Sequence, residues 1–76
     1  MSYRRINQRV KIHPDCDNEN YTKYRGQILR IYTISKNEQD HPGYDNSMYP
    51  DRLYDLKTES GEDVPFSLYD YELINV

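Results

Sequence analysis

Apolar side chains along this chain fall into short clusters separated by polar stretches, and the spacing inside the clusters is that of strands. In Arg9-Val10-Lys11-Ile12-His13, Val10 and Ile12 share one face while Lys11 points away. Pro14 ends the run because it cannot donate to a ladder. A polar excursion, residues 15–20, follows, with side chains that bend the backbone by bonding nearby amides. Tyr21, Tyr24 and Gly26 then lead into the strongest strand, residues 27–34, whose apolar positions do not alternate. Either both of its faces are covered, or a bulge near Gly26 shifts the phase. Residues 52–58 predict a strand with Tyr54 and Leu56 inward, and residues 59–62 a tight turn in which Gly61 takes a positive φ. Val64 and Phe66 share a face of a further strand over residues 63–66, which Pro65 marks as an edge or an end. Residues 67–70 predict one 3₁₀ turn, and residues 71–76 a closing strand.

Composition sharpens that picture. Ile, Leu, Val and Phe total 15 of 76 residues, at the border where charged chains stay disordered. A net charge of only −3 and nine tyrosines move the expectation to a folded chain. Length allows a single domain over residues 8–76, preceded by a flexible basic arm at 1–7 and interrupted by a long loop at 35–50. No apolar run is long enough to span a membrane, and the basic N-terminus has no apolar segment behind it, so no insertion and no secretory signal are expected. A lone cysteine, Cys16, rules out an internal disulfide framework and fits a reducing, cytoplasmic setting.

Five short strands, two long loops, a tight turn and one 3₁₀ turn before the last strand form an order that resembles the small five-stranded barrels of Src-homology-3-like (SH3-like) domains. The segment Val64-Pro65-Phe66-Ser67-Leu68-Tyr69-Asp70-Tyr71-Glu72-Leu73 carries most of the resemblance. It implies an all-β closed barrel, in which one face of every strand is buried. Leu68-Tyr69-Asp70-Tyr71 also matches a signature of eukaryotic domains that bind proline-rich peptides. There the motif opens the domain; here five residues follow Tyr71, so that activity is not carried over.

Catalytic and metal chemistry find little support in the spacing. Residues 15–20 begin like a calcium loop, but Asn20 stands where glycine is required and Gly26 where a bidentate glutamate is required. Cys16, His13 and His41 are potential zinc ligands without any ligand-pair spacing, and Cys16 with His13 has no oxyanion-binding turn nearby. With three glycines, the chain holds no phosphate-cradling loop. No cofactor, no metal and no enzymatic activity are expected.

What remains is surface. In barrels of this layout the first loop, the second loop and the 3₁₀ turn adjoin one another, which would gather Tyr21, Tyr24, Tyr44, Tyr49, Tyr69 and Tyr71 at one rim. Tyrosine offers wide contact at low rotamer entropy, so the expected function is a non-catalytic module or accessory subunit binding a protein partner there. Charge divides along the chain, with net +4 over residues 1–30 and net −7 over residues 31–76. Arg4, Arg5, Arg9, Lys23 and Arg25 therefore form a candidate basic patch for nucleic acid, although the acidic total weighs against it. The same residues would serve a peripheral docking subunit of a redox complex, a class whose small barrels have a similar layout. Pairing of two copies is a further expectation for so small a barrel with an edge near Pro65.

Overall fold

The computed structural model describes residues 4–76. Five strands, β1 (Arg9–Ile12), β2 (Leu29–Ser35), β3 (Leu53–Thr58), β4 (Leu68–Tyr69) and β5 (Leu73–Asn75), form one antiparallel sheet in the order β4-β3-β2-β1-β5. The chain is thus built mostly of strands, as its periodicity predicts. The expected closure into a barrel does not occur, because the ladder ends at β4 on one side and at β5 on the other.

Those two edges are nevertheless tied by a short link. Only the 3₁₀ helix Asp70–Glu72 lies between β4 and β5. A flat sheet of this order would hold its edges about 19 Å apart. The four Cα steps from Tyr69 to Leu73 reach about 14 Å at most. The sheet must therefore curve around its concave side. That side carries the core of Val10, Ile12, Leu29, Ile31, Tyr54, Leu56, Leu68 and Leu73, all buried.

Register decides which residues face out. Ile31 pairs with Leu56, but Thr33 pairs with Asp55, so Tyr32 is the extra residue of a bulge. This is the phase shift expected in the strand, six residues beyond Gly26 rather than beside it. Residues 63–66 do not form the expected strand: Asp63 makes one isolated bridge to Lys57, and Pro65 has no amide hydrogen with which to continue. The fourth strand is instead Leu68–Tyr69, so the one-turn helix begins at Asp70 rather than Ser67. Gly61 takes the positive φ, 91°, that the tight turn requires. Two further 3₁₀ helices, Glu19–Tyr24 and Asn46–Met48, occupy segments whose polarity reads as plain loop.

The expected arm at residues 1–7 is anchored from Arg4 onward, residues 1–3 lying outside the described residues. The Arg4 guanidinium bonds Asn75 Oδ1 at 3.0 Å, the Asp70 carbonyl at 3.1 Å, Asp70 Oδ1 at 2.5 Å and the Leu73 carbonyl at 3.1 Å. The Asn7 amide donates to the Ile31 carbonyl at 2.6 Å. Among the described residues, no helix is long and apolar enough to cross a membrane.

Candidate functional site: a ring-bordered cavity on the outer face of β3

Even-numbered residues of β3 serve the core, so Leu53, Asp55 and Lys57 face the other way. Across that outer face Thr33 and Asp55 are partners, and so are Leu53 and Tyr69. The segments 41–43 and 64–67 border it too. Together Leu53, Asp55, His41, Val64, Phe66 and Tyr69 line a cavity of about 520 Å³.

Asp55 is the chemical centre of this cavity. Thr33 Oγ1 donates to its Oδ2 at 2.6 Å, and the Ser67 hydroxyl donates to Oδ1. Partial burial pushes the carboxyl upward, but these two bonds and the nearby His41 ring outweigh it and hold Asp55 below its ordinary range. It is ionised at neutral pH.

His41, Ser67 and Asp55 are the residue types of a nucleophilic triad, arranged differently. His41 Nε2 lies 3.2 Å from Ser67 Oγ and 3.4 Å from Asp55 Oδ1. The Gly43 amide donates to His41 Nδ1 at 2.9 Å. A neutral ring accepting at Nδ1 carries its proton on Nε2, so the nitrogen facing the serine is a donor and not a base. Ser67 accordingly accepts from His41 and donates its own hydrogen bond to Asp55, which is a positioning network. Gly43 matters to that geometry: a Cβ there would sit 3.1 Å from His41 Cε1.

Two aromatic groups flank the cavity. On one side Phe66 stacks on Tyr21 at 4.4 Å and meets Tyr24 edge-on at 5.6 Å. On the other, Tyr69 meets Tyr44 edge-on at 5.6 Å and stacks with Tyr71 at 6.4 Å. Glu72 joins the groups, accepting from the Tyr21 hydroxyl at 3.1 Å and from the Tyr69 amide at 2.9 Å. Burial, then the charge of Glu72 and the bond to it, push the Tyr21 phenol up to about 12. Five of the six expected tyrosines thus belong to one connected array. Tyr24 and Tyr44 are buried, so they support Phe66 and Tyr69 rather than offer contact area. Tyr71 and Tyr49 are each 62% exposed. Tyr49 borders a separate depression with Asn37, Glu38, Gln39 and Asn46.

The expected basic set has several separate engagements. Arg4 is turned onto Asp70, and Lys23 Nζ lies 5.4 Å from the Tyr24 ring centroid. Arg5 and Arg9 are exposed, and Arg25 is half-buried. Arg9 instead aligns across the sheet with Arg30, and Arg30 with Lys57. Arg30 pairs with Glu59 at 2.6 Å and Lys57 with Asp63 at 3.8 Å. Burial, reinforced by Glu72, raises the Cys16 thiol, which disfavours the thiolate. Among the described residues no group of three potential ligands is placed to hold a metal ion.

Asp55, Ser67, Thr33 and Phe66 belong to this site although the sequence does not mark them as site residues. The available signal was an acid in mid-strand between two inward residues, Tyr54 and Leu56, with hydroxyl residues elsewhere to meet it. No family model, characterised protein or solved structure matches the chain.

Proposed function

We propose that this chain is a non-catalytic interaction module that binds a protein partner on the outer face of β3, through Tyr69, Tyr71 and the cavity they border. The observation that carries the reading is Tyr71: a large ring, 62% exposed, stacked on Tyr69, which itself lines the cavity. An aromatic held by a second aromatic beside a concave site loses little freedom on binding. The donor role of His41 Nε2 toward Ser67 supports the absence of catalysis. The strand order, with a one-turn helix linking the two edge strands, supports an SH3-like arrangement. A single thiol and the small charged surface fit a cytoplasmic setting.

Photocrosslinking tests the reading. Benzoylphenylalanine placed at position 71 should give a discrete protein adduct in the native host, while the same group at position 62, in the exposed turn, should give none. Adduct from position 62 and none from 71 would contradict it.

A second reading has its own observation. Arg9, Arg30 and Lys57 stand in register across three strands, beside the exposed ring of Tyr32, whose centroid lies 4.9 Å from Lys57 Nζ. Such a row could follow a phosphate backbone, although Glu59 and Asp63 already pair two of the three cations. Salt-sensitive binding of single-stranded RNA at low ionic strength would favour it. The docking-subunit reading draws on the same positive charges, and Arg4 is already engaged with Asp70.

A further inference from the structure

We propose that the β3 cavity receives one basic side chain, arginine or lysine, from the partner polypeptide, with Asp55 meeting the charge and Phe66 and Tyr69 meeting the cation and its stem. This identifies the partner chemistry of the site described above and rests on the interaction-module reading.

The argument begins with charge. Asp55 receives hydrogen bonds from Thr33 and Ser67 and has His41 Nε2 at 3.4 Å; two hydroxyls and an imidazole whose Nδ1 accepts from Gly43, and which is therefore neutral, orient a carboxylate without neutralising it. Its two oxygens offer about four lone-pair directions, so acceptor capacity remains after both hydroxyls are served. Lys57, two residues along the same face, is directed to Asp63 and the Tyr32 ring. Asp45 adds to the negative field, since its amide donates to the hydroxyl of Tyr69, which lines the cavity, at 2.8 Å. Asp45 is held below its ordinary range by the Ser47 hydroxyl and amide bonded to it. Such a field draws basic segments in.

The walls match the rest of such a side chain. Leu53, Val64 and Pro65 supply apolar contact for an aliphatic stem. Phe66 and Tyr69 line the cavity too, and aromatic rings attract cations. A cavity of about 520 Å³ falls within the range of small-ligand pockets, roughly 300–1,000 Å³, and so has room for one such side chain. An anion would meet Asp55 as a like charge, and a purely apolar group would strip it of water without replacing the lost bonds. The site therefore discriminates by charge as well as by shape.

The test uses the intact protein and amide shift mapping. The probes are short Gly/Ser peptides bearing one central arginine or lysine, beside peptides with the neutral isosteres citrulline or norleucine. A basic peptide should shift the Gly43, Asp55, Ser67 and Tyr69 amides saturably. Affinity should fall at least about ten-fold with the neutral isosteres and with Asp55→Asn. The isostere arms need no variant, so they decide the matter even if Asp55→Asn folds poorly. Equal affinity for charged and neutral peptides, or shifts centred away from the cavity, would overturn the proposal. If the crosslinked partner depends on Tyr71 while charged and neutral peptides bind alike, the cation fails and the interaction face survives. If the partner is indifferent to both Tyr71 and Asp55, the face itself fails.

Discussion

The two faces of β3 are made of different materials and do different work. Inward, Tyr54 and Leu56 are fully buried among aliphatics from every other strand. Outward, Leu53 and Asp55 sit in a cavity with an ionised carboxylate, two hydroxyls, an imidazole and two rings. One strand thus carries both core side chains and the proposed recognition site, and its two-residue period keeps them on separate side chains. The comparison teaches that substitutions at neighbouring positions of β3 should separate cleanly by readout.

The largest expected effect lies on the inner face. Leu56→Ala removes a fully buried side chain and should cost about 2–5 kcal/mol, seen as a sharply lower urea midpoint, because the curved sheet leaves a cavity behind. Tyr54→Phe should cost about 1 kcal/mol. Burial, then Asp70, pushes the Tyr54 phenol up to about 12, and Tyr21 shares that value. Both phenols hold their protons more tightly folded than unfolded. Their contribution is complete below about pH 10 and is lost as pH climbs through about 12. An ultraviolet titration should therefore show Tyr21 and Tyr54 among the last phenols to ionise, with one fewer late phenol in Tyr54→Phe.

On the outer face the sign reverses. Asp55 has a depressed pKa, so its contribution is present above the unfolded value of about 4 and is lost as pH falls through the folded one. Asp55→Asn should flatten the acid limb of the stability curve while leaving the alkaline limb alone, a comparison of thermal midpoints from pH 2 to pH 7 being the check. Tyr71→Ala should move stability by no more than about 0.5 kcal/mol, since the ring is mostly exposed. Its effect belongs to partner affinity, which should weaken about ten-fold.

Alternation made the inner face legible from the residues alone. Val10, Ile12, Tyr54 and Leu56 read as inward and are buried, and Gly61 reads as the turn it makes. The outer site was not legible, because it depends on register. A bulge at Tyr32 sets Thr33 opposite Asp55, and no local pattern distinguishes that position from Gly26. Residues 67–70 read as one 3₁₀ turn after a strand that Pro65 marks as an edge or an end. The ladder resumes after it for two residues, and that places Tyr69 beside Leu53. The 3₁₀ helix Glu19–Tyr24 is illegible for a simpler reason: its residues carry no apolar period, although Tyr21 and Tyr24 both pack on Phe66. Five of the six tyrosines gather and Tyr49 stands apart, and which of the five support the array and which present a surface is not legible in the sequence.

The most direct test is an amide shift map of the protein bound to the partner that crosslinks at position 71. The largest changes should cluster at residues 41–44, Asp55 and residues 66–71, with β1 unmoved. Changes centred on Arg5, Arg9 and Arg30, with the cavity residues silent, would show that recognition belongs to the basic row instead.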